Sequence, residues 1–91
     1  MFGMKKMDSF EAQSMALLVA AVHGLVEYED DVKINHIQTA DSNSHLFEVT
    51  VHKEDIGKII GKKGKTVSCI RTVLNNISHK HRTTSVLEII E

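Results

Sequence analysis

Proline and tryptophan are absent from this chain of 91 residues, and cysteine and tyrosine occur once each. The lone Cys69 cannot close an internal disulfide, which suits a reducing, cytoplasmic setting and excludes a disulfide-stapled scaffold. No apolar run reaches the roughly 18 residues of a membrane-spanning helix. The longest, Met15 to Val22, is rich in alanine and is followed by His23 and Gly24. Met1 to Met7 holds two lysines but no apolar stretch joined to a cleavage site, so no signal peptide is expected. It reads as a flexible leader over 1–8, with Met1, Met4 and Met7 all open as the natural start. A single domain over 9–91 follows. No repeat or low-complexity tract marks a second unit. What is present, 42% hydrophobic and 25% charged residues, belongs to a globular domain with a small but sufficient core.

Signatures of catalysis are missing too. There is no nucleophile placed beside a base, no working pair of carboxylates and no nucleotide motif, so no enzyme is expected. Cys69 lies off the main apolar stripe of its segment. His79 and His81 are spaced like a weak metal pair, but no cysteine or further clustered ligand accompanies them. Neither a metal nor a cofactor is expected.

The net charge of −1 conceals an uneven distribution. Residues 53–82 hold eight lysines and arginines against Glu54 and Asp55, a local balance of +6; the remainder holds three against ten acids, −7. Such asymmetry attracts a polyanion even when the total is near zero. The simpler alternative is that these cations only solvate a helix.

The apolar pattern orders the elements. Asp8 and Glu11 have capping-box spacing ahead of a helix whose core face is read as Met15, Leu18, Val19, Val22 and Leu25 or Val26. The acidic run Glu27 to Asp31 closes it. Val32 to Ile37 reads as a strand, with Ile37 on the wrong face, and Ala40 to Ser44 as a turn. Phe47, Val49 and Val51 alternate with polar residues in a second strand, paired to the first as a hairpin. Glu54 to Ile60 is a short helix with Ile56, Ile59 and Ile60 apolar. Lys65 to Ser78 is a second amphipathic helix on Val67, Ile70, Leu74 and Ile77, with Val73 beside them. Val86, Leu87, Ile89 and Ile90 make a last strand. The order is α-β-β-α-α-β, an α+β domain in which a three-stranded sheet carries its helices on one face.

Between the last two helices lies Ile59-Ile60-Gly61-Lys62-Lys63-Gly64-Lys65-Thr66-Val67. An isoleucine-glycine step, a Gly-x-x-Gly loop and an apolar residue three positions on resemble the signature of KH domains. The element order resembles the type II form of that family. Gly57-Lys58-Ile59-Ile60-Gly61, with Ile70-Arg71-Thr72 in the next helix, is similar to the stand-alone KhpA-like (YlqC-like) group. The resemblance spans residues 9–90, although the leader is longer and the first strand less regular than in that group.

Physical chemistry gives the loop a use. Gly61 can end a helix at positive φ without steric cost. Gly64 lets a nucleic-acid backbone approach, and the free N–H groups and dipole of the following helix favour a phosphate. Lys62 and Lys63 add point charges. The structural alternative is that both glycines are helix caps only. The resemblance implies a clamp on about four nucleotides of single-stranded RNA. The expected site comprises Lys58, Ile59, Ile60, Gly61, Lys62, Lys63, Gly64, Lys65 and Val67, with Lys80 and Arg82 on a far rim formed by the variable loop His79 to Thr83. Ile59, Ile60, Val67 and Ile70 are core residues whose exposed edges wall the groove, opposite the last strand. Arg71 is left outside, as a solvated or acid-paired residue. DNA stays open, because nothing identifies a reader of the 2′-hydroxyl.

The resemblance also implies a post-transcriptional regulator or RNA chaperone acting as a dimer. Its partner is a second copy or a larger KH protein of the KhpB or Jag type. The alternative is a protein-interaction module for which RNA contact is secondary, using the acidic first helix or leftover apolar residues such as Ile37. Adjacent loop lysines separate the two, since an interaction module does not need them.

Overall fold

A computed structural model of the chain describes residues 9–39 and 43–91. The expected leader, the Asp8 half of the capping box and turn residues 40–42 lie outside the described residues.

Helix α1 (Ser9–Leu25) buries Phe10, Ser14, Leu18 and Val22, a row four residues apart. Leu18 and Val22 are buried and Met15 and Val26 pack against the core, as expected, and the expected face is corrected at Val19. Val19 is 43% and Leu25 37% exposed, and Phe10, which the expected face omitted, is a core residue. The helix carries alanine, leucine and valine around most of its circumference, so spacing alone does not select the buried side. Nor is the helix itself acidic: Glu11 is its only acid, and the acidic run follows it.

Strands β1 (Lys33–Gln38), β2 (Ser44–Thr50) and β3 (Thr84–Ile90) form one sheet in the order β1-β2-β3. The first pair is an antiparallel hairpin, as expected, and β3 joins β2 in parallel. Parallel neighbours need a crossover. Helices α2 (Ile56–Ile60) and α3 (Lys65–Lys80) supply it. Helix α2 is entered through a tight 3-10 turn at Lys53–Asp55. The helices all pack on one face. There β2 buries His45, Phe47, Val49 and the adjoining Val51. Cross-strand rows Ile34–Val49–Ile89 and His36–Phe47–Leu87 meet Leu18, Val22, Ile59, Ile70 and Leu74 from the helices.

Among the described residues, no helix lies on the other face of the sheet. Across it Ile37, Leu46 and Val86 fall in one register row. Ile37 is 48% and Val86 57% exposed. Ile37 therefore does point away from the core, but it has apolar neighbours there. Val86 and Ile90 lie on the exposed side of the last strand, and Val73 on the exposed side of α3.

Ser14 is fully buried in the apolar row of α1, and among the described residues its hydroxyl has no hydrogen-bond partner. An unpaired buried hydroxyl costs about 1–3 kcal/mol, and alanine is also the better helix former. Ser14→Ala should raise stability by about 1 kcal/mol or more in a urea titration. A loss of stability would mean that this hydroxyl is satisfied in solution.

Candidate nucleic-acid interface

The loop that joins α2 to α3 has an unusual backbone. Gly61 ends α2 at φ 79°, and a side chain there would overlap the Thr66 hydroxyl and lie 2.8 Å from the Thr66 nitrogen. Glycine is required here twice over, by conformation and by space. Gly64 is left-handed at φ 76°, and the space beside it is open. Lys63, between them, is left-handed at φ 56°. A non-glycine residue pays of order 1 kcal/mol for that conformation. The turn keeps Lys62 and Lys63 exposed at its tip, with Lys65 exposed at the first position of α3. Among the described residues, no carboxylate lies within 4.0 Å of any of these three ammonium groups.

One expectation needs correction. The N–H groups at the start of α3 are not all free, because the loop uses some of them. Gly61 N–H donates to the Gly57 carbonyl at 2.8 Å, Gly64 N–H to that of Gly61 at 3.1 Å, and Lys65 N–H to that of Lys62. Attraction for an anion here comes chiefly from lysine charge and from the dipole of a 16-residue helix.

Lys58 is placed elsewhere. Its ammonium lies 3.2 Å from Glu27 and 3.2 Å from the fully buried Asp55. It is a partner of acids rather than a free cation for a ligand. Asp55 also accepts the backbone N–H groups of Glu27 at 3.1 Å and Tyr28 at 3.0 Å. One buried carboxylate thus ties the segment after α1 to the entry of α2. Burial alone would raise the Asp55 pKa, but the Tyr28 and Glu27 N–H groups and Lys58 more than offset it, and the pKa is lowered. The hydrogen bonds to Glu27 and then Asp55 raise the Lys58 pKa.

The groove lies between α3 and the edge strand β3. A cleft of about 410 Å³ is bounded by Arg71, Leu74 and Asn75 on the helix and by Ser85 to Glu88 on the strand. A smaller one of about 230 Å³ continues it past Ser78 and His79 to Thr83 and Thr84. Ile59 is 0%, Val67 5% and Ile70 7% exposed. These three support the wall from inside and offer almost no edge, whereas Ile60 is half-buried. Arg71 must be brought in: exposed on α3 as expected, it nevertheless lines the cleft and donates from Nη2 to the Leu87 carbonyl at 3.1 Å, and among the described residues it pairs with no acid.

The far rim is shorter than expected. His79 and Lys80 belong to α3, two residues longer than its pattern suggested, and the connection is 81–83. Asn43 fastens that connection, donating to the Arg82 carbonyl and accepting from Thr83. Lys80 and Arg82 stay exposed. They stand at the opposite end of a helix about 24 Å long from Lys62 and Lys63.

Sequence reasoning missed Asp55, counted only as a charge, and Arg71. Both had a local signal. Asp55 and Lys58 are spaced three apart, one helical turn, and Arg71 lies seven residues after Gly64, on the same side of α3.

The family model described as KhpA/KhpB, KH domain matches residues 15–89, and the chain belongs to that family. An RNA-binding protein KhpA of Chlamydia trachomatis is 39% identical over 74 residues, 81% of this chain and 92% of the relative. Its namesake in Borreliella burgdorferi is 37% identical over 75 residues, 82% and 89% of the two chains. That in Lactiplantibacillus plantarum is 36% identical over 66 residues, 72% and 75%. The fold is accordingly a type II KH fold, and the family is not an enzymatic one.

The Asp55 anchor sets a limit on stability in acid. With its folded pKa below the ordinary 3.8, its contribution is fully present above that value and is lost as pH falls through the lower folded one. Asp55→Asn should be less stable than the parent at neutral pH, and the gap should narrow below about pH 4. Urea titrations at a series of pH values measure this. A gap that stays constant down to the acid limit would show that the carboxylate is not held ionised by the fold.

Proposed function

We propose that this chain binds single-stranded RNA, with the loop 61–64 clamping the backbone and the α3–β3 cleft receiving bases. The observation that carries this reading is a pair of exposed lysines, without an acid partner among the described residues, on a loop held in left-handed backbone at the start of a long helix. Phosphate charge is attracted there while glycine keeps the approach open. The relatives' name, RNA-binding protein, supports the same ligand. Lys80 and Arg82 extend the positive track, while Ile60 with the cleft edge offers apolar surface to bases. A post-transcriptional regulator or RNA chaperone working in the cytoplasm is the role that fits.

Replacing Lys62 and Lys63 together by Asp tests the clamp. Both side chains are exposed, so stability should move by no more than about 0.5 kcal/mol. Binding of single-stranded RNA, followed by fluorescence anisotropy, should be lost or greatly weakened. For the parent, about three cation–phosphate contacts give a log–log salt slope near −2, from about −0.7 per contact. Undiminished binding by the folded double variant would remove the loop from the site.

Pairing belongs to the same proposal, with a second copy or with a KH protein of the KhpB or Jag type. Two short binding modules linked in this way gain avidity through effective concentration. The row Ile37–Leu46–Val86, exposed at its two ends, supports such a surface, and it equally supports the second reading, in which protein pairing is the main activity. Light scattering should show twice the mass of one chain, or a KH partner should copurify, and Ile37→Lys should weaken either assembly. A monomer at every workable concentration, with no copurifying partner, contradicts pairing.

A further inference from the structure

Arg71 is a charged residue fixed in the wall of the cleft. Its Nη2 spends one N–H on the Leu87 carbonyl at 3.1 Å. A guanidinium carries five N–H donors and accepts nothing. Among the described residues no carboxylate lies within 4.0 Å of it, so ion pairing does not occupy the rest. The bond to Leu87 holds a long side chain that would otherwise sample many rotamers, and the remaining donors stay available at the cleft it lines. At about 410 Å³ the cleft falls in the range of small-ligand sites.

The rest of the lining limits how a base can be recognised. Asn75 supplies an amide, Leu74 and Leu87 are 1% and 4% exposed and close the floor, Val86 and Glu88 lie on the outward side of the strand, and none of the lining residues is aromatic. Discrimination therefore falls on base edges rather than on stacking. A guanidinium fork matches two neighbouring acceptors, the arrangement that guanine presents with O6 and N7. Adenine puts an N–H₂ donor where guanine has O6, and so places donor against donor. Arg71 also lies about 9 Å along the helix axis from Lys65, within reach of a nucleotide next to the clamped phosphates.

We infer that Arg71, anchored on the Leu87 carbonyl, is the specificity-determining residue of the cleft, and that it selects guanine over adenine at one position of a bound single strand. This rests on the reading of the chain as a single-strand RNA binder, with phosphate attraction supplied separately by the loop lysines.

The test uses the full chain and labelled oligouridines carrying a single guanosine or a single adenosine. Anisotropy titrations compare the parent with Arg71→Lys and Arg71→Gln, and thermal unfolding confirms that each variant is folded. The parent should bind the guanosine oligonucleotide about tenfold more tightly. Arg71→Lys keeps the charge but not the fork. It should lose most of the preference while its salt dependence matches the parent's, and Arg71→Gln should lose the preference too. Parent binding without a guanosine preference, or a preference that survives Arg71→Lys, overturns the inference and leaves the clamp standing. Failure of the parent to bind either oligonucleotide removes the clamp and this inference together.

Discussion

The carboxylate of Asp55 is buried completely and remains a partner for four groups' worth of structure: the backbone of Glu27 and Tyr28, the ammonium of Lys58 and, through that lysine, the side chain of Glu27. A charge taken out of water is tolerated only when it is paired and hydrogen-bonded, and here the partners come from two parts of the chain. The segment leaving α1 is thereby fixed to the residue that opens α2. Helix α2 is only five residues long and has little stability of its own. It is held by Asp55 at its start, by Ile59 in the core and by the Gly61 turn at its end. The loop lysines stand on this support.

Charge and packing then divide the labour. Lys58, inside the stretch that reads as basic in the sequence, belongs to the anchor. Lys62, Lys63 and Lys65 are left to face solvent, without acid partners among the described residues. Gly61 tolerates no side chain because Thr66 closes over it. At Gly64 a side chain has room and meets only the cost of left-handed backbone, of order 1 kcal/mol. At the other end of α3, Asn43 stitches 81–83 to the hairpin and so holds the second pair of cations in place. Between the two ends the parallel pairing of β2 with β3 leaves β3 at the edge of the sheet. The groove is the space between that edge and α3.

Much of this was legible in the residues. β2 alternates cleanly because one of its faces is buried, and the order of the elements, the hairpin and the long α3 follow from periodicity and glycine placement. The loop was legible because positive φ has few chemical solutions. What was not legible depends on distant partners. The buried side of α1 is hidden by a helix that is apolar almost all round. The task of Lys58 is set partly by Glu27, 31 positions away, and that of Arg71 by a carbonyl 16 positions on. Ile59 and Val67 were correctly read as core residues, but how little edge they show is decided by the packing of α1 and α3 around them.

The central claim is that one continuous surface, the loop and the α3–β3 cleft, engages single-stranded RNA. Amide shifts of the isotope-labelled chain, followed by NMR as a single-stranded oligonucleotide is added, examine it directly. The largest changes should fall at 61–65, along the cleft side of α3 around Arg71 and Asn75, and at Ser85 and Leu87. The outer face of α1 near Val19 and the outward sheet face at Ile37 should be silent. Changes concentrated at Val19 or Ile37, with Gly61 to Lys65 unmoved, would contradict it.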